Sequence, residues 1–212
     1  MNYTFPNLND LCSGMFSDSM DKLGYRHQII SGYLRNQHIV RFMGRARIVK
    51  IETVETEDEN INLGLSFLGS CKPGEILVVA GSNNFAYFGE MMTRLSLRQG
   101  IGGVVVDGLT RDTVFTHDNC ALPIVAKGYS PVDIKGRGRV VAVDVPIYVS
   151  GVKVEPNDLL FADNDAVCVV PKIIEEELLE MIKRDIAEEQ KIVRLIDSGA
   201  TIPEILEKVK SF

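Results

Sequence analysis

Two uninterrupted apolar runs constrain this chain more than any other feature in it. Ile76-Leu77-Val78-Val79-Ala80 and Gly103-Val104-Val105-Val106-Asp107 have strand length and no polar alternation. A strand without a polar side is covered on both faces, as parallel strands in α/β proteins are. Between the runs, residues from about Gly89 to Arg98 predict a helix that Gly100 closes. Strand, helix, strand is a βαβ unit, and its crossover makes the two strands parallel. The helix then runs antiparallel to both strands. Its start, Gly89-Glu90-Met91-Met92, therefore meets Gly108 to Asp112 in one crevice. Open parallel sheets bind their ligands in such crevices.

The flanking sequence fills in a mixed α/β domain. Residues 8–24 predict an amphipathic helix ended by Gly24, and residues 39–51 a strand. Residues 56–62 read as a polar loop or helix start, Asn62 to Leu68 as a short helix, and Lys72-Pro73-Gly74-Glu75 as a turn. Pro123 to Ala126 is a third short strand. The basic stretch Lys135 to Arg139 reads as a hairpin turn rather than an RNA contact. Strands follow at 140–144, 147–149, 159–162 and 166–170, the last stopped by Pro171. The period then turns helical and charged from Ile173 to Asp197, with Gly199 as the stop and a last helix at 203–209. The expected organisation is an α/β domain over 1–171 and a helical arm over 172–212 that packs on a neighbouring subunit. At 212 residues, 45% hydrophobic and 25% charged, the chain is long and apolar enough for a real core. Disorder, collagen and a coiled-coil rod are excluded.

Charge and cysteine usage narrow the partners. Lys and Arg number 23 against 29 Asp and Glu, a net charge of −6, which disfavours nucleic acid and anionic membranes as partners. No run of 18 apolar residues exists, and Met1 to Pro6 lacks a basic-then-apolar leader. The four cysteines, 12, 71, 120 and 168, form no CxxC and pair with none of His27, His38 or His117 at zinc spacing. Reduced thiols in a cytoplasmic protein are the expectation. His117 reads as a surface loop residue.

The crevice residues have chemistry of their own. The first N–H groups of a helix lack intrahelical partners and favour an anion. Arg111 offers a planar fork that matches a carboxylate. Asp112 offers hard oxygen to Mg²⁺ or Mn²⁺, and Glu90 is a second carboxylate. The combination suits a small keto-acid or dicarboxylate with a divalent metal. A plainer reading stands beside it: Arg111 and Asp112 as a solvated turn pair, and Glu90 as the helix partner of Arg94. Asn83 or Asn84 is an alternative cap that would start the helix early and move the anion site upstream. Met91 and Met92 read as core side chains whose N–H groups face the ligand. Arg94 or Arg98 is a candidate for a distal carboxylate.

Gly89-Glu90-Met91-Met92 followed by Gly102-Gly103-Val104-Val105-Val106-Asp107-Gly108-Leu109-Thr110-Arg111-Asp112 resembles the 4-hydroxy-4-methyl-2-oxoglutarate aldolase family, which also contains RraA-like regulators of ribonuclease E activity. The resemblance extends to Asp18–Gly24, Gly44-Arg45-Ala46, Gly151–Asp158 and Asp163–Pro171. It implies a β/β/α swivelling domain assembled as a homotrimer or a pair of trimers. It implies that the backbone at Gly89 to Met92 binds the substrate carboxylate, that Arg111 binds the keto-acid and that Asp112 binds Mg²⁺ or Mn²⁺. It further implies that Glu90 contacts the metal through water, and that the terminal helix sends a glutamate to a neighbouring subunit's site. Distance to Gly199 selects Glu189 for that role. The activity implied is class II aldol cleavage to pyruvate, with oxaloacetate decarboxylation by the same enolate chemistry. No crevice lysine offers a Schiff base, so a Lewis acid and Arg111 are left to stabilise the enolate, with Glu90 as candidate base. The alternative is a non-catalytic regulator of a ribonuclease or helicase; a menaquinone methyltransferase is disfavoured, because no glycine-rich nucleotide loop is present. The chain departs from the pattern at Glu90, where aspartate is common, and at Asn157 and Ala166, where glycines are common.

Overall fold

The computed structural model of the protein describes residues 7–37, 40–54, 61–117 and 120–208. His38, the first residue of the expected 39–51 strand, most of the polar 56–62 stretch and the end of the last helix lie outside these. After one helical turn at Leu8–Asp10 come α1 (Ser13–Lys22), β1 (Ile29–Ser31), β2 (Leu34–Arg35), β3 (Phe42–Thr53) and α2 (Ile61–Ser70). The central unit is β4 (Ile76–Ala80), β5 (Ala86–Phe88), α3 (Glu90–Gln99), β6 (Gly103–Thr110), α4 (Thr113–Thr116) and β7 (Ile124–Tyr129). Then follow β8 (Gly138–Val143), β9 (Ile147–Val149), β10 (Val152–Val154), β11 (Leu159–Ala162), β12 (Ala166–Val170), α5 (Glu175–Asp197) and α6 (Ile202–Lys208).

Among the described residues, one mixed sheet runs β1-β12-β11-β3-β4-β6-β7-β2, with β5 beside β6 and β8 beside β3. β3, β4, β6 and β7 are mutually parallel; the flanking pairs are antiparallel. The two apolar runs are the middle of this sheet. All five residues of β4 are buried, because both faces are covered. On one face, Phe67 and Leu68 of α2 and Met92 of α3 pack on Leu77, Val79, Val104 and Val106. On the other, the β9–β10 hairpin lays Ile147, Val149, Val152 and Val154 against Val78, Val105 and Val125. A third cluster joins Phe16 and Met20 of α1, and Leu178, Leu179 and Ile182 of α5, to Phe161 and Cys168. The Phe16 and Phe161 rings stack 4.5 Å apart. Each such side chain contributes roughly 1.5–3 kcal/mol on full burial. The result is the expected β/β/α architecture.

Several local expectations change. Gly108 to Asp112 read from sequence as the loop after the strand that ends at Asp107, but Gly108 to Thr110 continue that strand, because β5 and β7 both pair with them: Phe88 and Tyr129 each register with Thr110. Gly108 is required there, since a Cβ would lie 2.3 Å from Ser82 Oγ. The basic turn is not a hairpin: β8 pairs with β3 rather than with β7. Arg137 instead closes the turn on the carbonyls of Asp133 and Lys135, at 3.2 and 3.1 Å. β1, β2, β5 and α4 are too short for sequence periodicity to register. Asn157 is left-handed, with φ 71°, a conformation Asn tolerates. Ala166 needs no glycine, because Asp163 Oδ1 accepts the Asp165 and Ala166 N–H groups at 2.9 and 3.3 Å and closes that turn.

The arm begins on its own domain. Arg45 grips Glu175 with two bonds of 2.5 and 2.6 Å, and Lys22 meets Asp185 at 3.2 Å. Farther along, Val193, Ile196, Ile202 and Leu206 are exposed. No helix among the described residues is long and apolar enough to cross a membrane.

Candidate functional site

The site forms where β6 ends and α3 begins. The Arg111 N–H donates to Phe88 O at 3.0 Å, which pins the end of β6 to the residue before Gly89. Gly89 caps α3, so the helix starts at Glu90 and the early Asn83–Asn84 start does not occur. Thr93 makes the first intrahelical bond, to Gly89 O at 2.9 Å, which leaves the Glu90, Met91 and Met92 N–H groups outside the helix ladder.

Asp112 takes the first of these donors. Its backbone is left-handed, at φ 60°, and its Oδ2 accepts the Glu90 N–H at 2.8 Å. The anion at this helix end is thus a side chain of the same crevice. Gly89 makes the approach possible: a Cβ on it would lie 2.4 Å from Asp112 Oδ2 and 2.8 Å from Arg111 Cγ. Arg111 lies between two carboxylates, with Nη1 3.2 Å from Asp133 Oδ1 and Nε 3.6 Å from Asp112 Oδ2. It is one-third exposed and opens onto a cleft of about 280 Å³ that Asp112, Thr113, Tyr129, Ser130 and Pro131 complete.

Glu90 and its neighbours tie α3 to α4. Its Oε1 is 2.7 Å from Arg94 Nη2, and the Arg94 guanidinium lies 4.2 Å over the Phe115 ring. The helix-pair reading of Glu90 is therefore realised in the geometry, and Arg94 is committed to it. Met92 is core, but Met91 is 70% exposed, contrary to the expectation that both are buried. Its position in the first turn of α3 faces away from the sheet. Glu189 is not at its own chain's cleft. It lines a groove between α1 and α5 with Asp18, Asp21, Lys22 and Asp185.

Sequence reasoning missed the far wall. Tyr129 ends β7 and Ser130 follows it, so the rule that places ligands at the C-terminal ends of parallel strands was the available signal. His117, expected on the surface, is half-buried, with Nε2 3.1 Å from Tyr129 Oη. On the opposite face, buried Asp107 accepts from Lys127 at 2.7 Å and from the Tyr33 hydroxyl, which also meets Ser150 Oγ at 2.9 Å. Burial and then the bond to Asp107 push the Tyr33 phenol above its ordinary range. Two buried thiols are held as neutral, structural groups: burial pushes Cys71 up to about 11 and raises Cys168 as well.

A mixed sheet with helices on one face, a hairpin on the other and an Arg-Asp pair at the parallel strands' rim defines an α/β protein of RraA-like fold. Residues 13–169 match the RraA-like, Aldolase/RraA family model, and the chain belongs to that family. A protein of Halalkalibacterium halodurans, provisionally named a 4-hydroxy-4-methyl-2-oxoglutarate aldolase, is 30% identical over 91% of this chain and 89% of its own. The 4-hydroxy-4-methyl-2-oxoglutarate aldolase of Thermus thermophilus is 32% identical over 62% of this chain and 80% of its own. Streptomyces coelicolor RraAS2, described as an unusual member of the RNase ES inhibitor RraA family, superposes with a TM-score of 0.77 at 27% identity, covering 91% of this chain and 99% of its own.

Proposed function

We propose that the protein is a divalent-metal-dependent lyase that cleaves 4-hydroxy-2-oxo acids of the 4-hydroxy-4-methyl-2-oxoglutarate type to pyruvate, and decarboxylates oxaloacetate by the same chemistry. The observation that carries this reading is the Arg111–Asp112 pair held against the first turn of α3. Arg111 binds the keto-acid end, and its guanidinium stabilises the negative charge that develops on the C2 oxygen. The Met91 and Met92 N–H groups add donors for the carboxylate. Glu90 accepts the proton of the C4 hydroxyl through an intervening water, for which it must exchange its contact with Arg94.

The donor set suits Mg²⁺ or Mn²⁺. Asp112 Oδ1 has no partner among the described residues, and no three Asp, Glu, His or Cys side chains converge there. Magnesium is commonly held by one or two carboxylates with substrate and several waters, unlike zinc. Asp112 would hold the ion directly, Glu90 through water and Glu189 of a neighbouring subunit through water. When bound, the ion supplies Lewis acidity at the substrate's 2-oxo group.

A second reading, a non-catalytic protein regulator of a ribonuclease or helicase, draws on the likeness to RraAS2. A pyruvate-release assay separates the two. Turnover that requires Mg²⁺ or Mn²⁺ and stops in EDTA supports the lyase; no pyruvate from any 4-hydroxy-2-oxo acid or from oxaloacetate, with metal present, supports the regulator.

A further inference from the structure

Where β7 ends at the cleft, a polar device is present that the Arg-Asp chemistry does not use. Tyr129 is fixed there by the sheet: it registers with Thr110, one residue before Arg111, and the next N–H, that of Ser130, donates to Thr110 O at 2.9 Å. Its hydroxyl has two neighbours, His117 Nε2 at 3.1 Å and Arg35 O at 3.4 Å. The His117 ring stands edge-on to the phenol, centroids 5.2 Å apart.

The proton arrangement follows from burial. His117 Nδ1 is buried and has no partner among the described residues. A buried orphan N–H is rarer and costlier than a bare lone pair, so the proton of the neutral ring is assigned to Nε2. Nε2–H then donates to Tyr129 Oη and fills one acceptor site of the phenol. The phenol's own proton is left with Arg35 O, a long contact at 3.4 Å, and is available to an acceptor in the cleft. Burial raises the Tyr129 phenol above its ordinary value, so it remains a donor at neutral pH.

The rest of the cleft gives that donor its task. The charged lining residues are Arg111 and Asp112, and the hydroxyl-bearing ones are Thr113, Tyr129 and Ser130. With Arg111 at the keto-acid end, the hydroxyl-bearing wall faces the part of the ligand beyond C3. We infer that Tyr129, its hydroxyl oriented by His117, is a specificity-determining residue that selects 2-oxo acids carrying an oxygen substituent at C4. The inference rests on the lyase reading above. A site built to hydrogen-bond an oxygen penalises ligands that lack it, because its own polar group is left unpaired.

The test uses the full chain with Mg²⁺ and compares wild type with Tyr129→Phe and His117→Ala. Oxalate, which mimics the pyruvate end alone, is titrated calorimetrically; 4-hydroxy-4-methyl-2-oxoglutarate is followed by pyruvate release. Tyr129→Phe is expected to raise the KM for the hydroxylated substrate about tenfold and to change the oxalate Kd less than about twofold. His117→Ala is expected to act in the same direction and less strongly, since it loosens the hydroxyl without removing it. Equal losses for both ligands would make Tyr129 a support for Arg111 and overturn the inference, as would an unchanged KM in an active Tyr129→Phe enzyme, which leaves the lyase reading standing. A wild type that neither binds oxalate nor releases pyruvate removes the lyase reading, and this inference with it.

Discussion

Arg111 and Gly89 make the most exacting demands at the scale of single residues. Arg111 spans Asp133 and Asp112 at 3.2 and 3.6 Å, so a lysine there would keep the charge and lose the planar fork. Arg111→Lys is expected to weaken oxalate inhibition and lower kcat together, with kcat/KM down about 10- to 100-fold. An unchanged oxalate inhibition constant would show that Arg111 does not face the keto-acid. Gly89 acts through what it omits. Its φ of −150° is extended backbone open to any residue, so the constraint is space alone. A methyl group there meets Asp112 Oδ2 at 2.4 Å. Gly89→Ala is expected to leave the fold intact, to displace Asp112 and to cost about 10² in turnover, since displacements near 1 Å at a reacting centre have that effect. Wild-type turnover in this variant would show that the Asp112 position is not critical.

The elements are held in place by carboxylates as well as by packing. Asp163, in the turn between β11 and β12, accepts the Ser13 N–H at the start of α1 at 2.7 Å and two N–H groups of its own turn. Burial pushes this carboxyl up, but the donors from Ser13, Asp165 and Ala166 outweigh it and hold the group below its ordinary value. A depressed carboxyl stabilises the fold above its unfolded value of about 3.9, and the contribution is lost as pH falls through the folded value. Asp163→Asn is expected to cost about 1–3 kcal/mol at pH 7. In denaturant melts, the gap between wild type and variant should close as pH drops from about 5 to below about 3; a gap independent of pH would refute this role. α5 shows the opposite balance. Its first half is anchored by Leu178, Leu179 and Ile182, while Val193 and Ile196 on its second half stay exposed.

Assembly is the question that belongs to the whole molecule. Glu189 lies in the α1–α5 groove and not at its own cleft, so in the proposed site it serves a neighbour. Asp112→Asn and Glu189→Gln are each expected to be inactive alone and to regain activity when co-expressed, because some interfaces in a mixed ring join an intact Asp112 to an intact Glu189. No recovery on mixing two inactive variants excludes the shared site, and a fully active Glu189→Gln reduces the arm to a structural role.

The sequence by itself determined the βαβ core, its crevice and the residues that meet there. Uninterrupted apolar runs leave parallel burial as the solution, and chain direction then places Gly89 to Met92 beside Arg111 and Asp112. The closing strands and the arm were legible for the same reason: long apolar or helical periods carry through tertiary context. The tertiary structure decided what no period encodes. That β8 adds to β3, that β5 lengthens β6 through Thr110, and that Tyr129 and His117 form the far wall are matters of non-local pairing. The same holds for Asp112, which the sequence offered as a metal ligand and whose carboxylate the fold also sets on the Glu90 N–H. A side chain's partner depends on which distant strand ends reach the same rim, and local sequence carries no record of that.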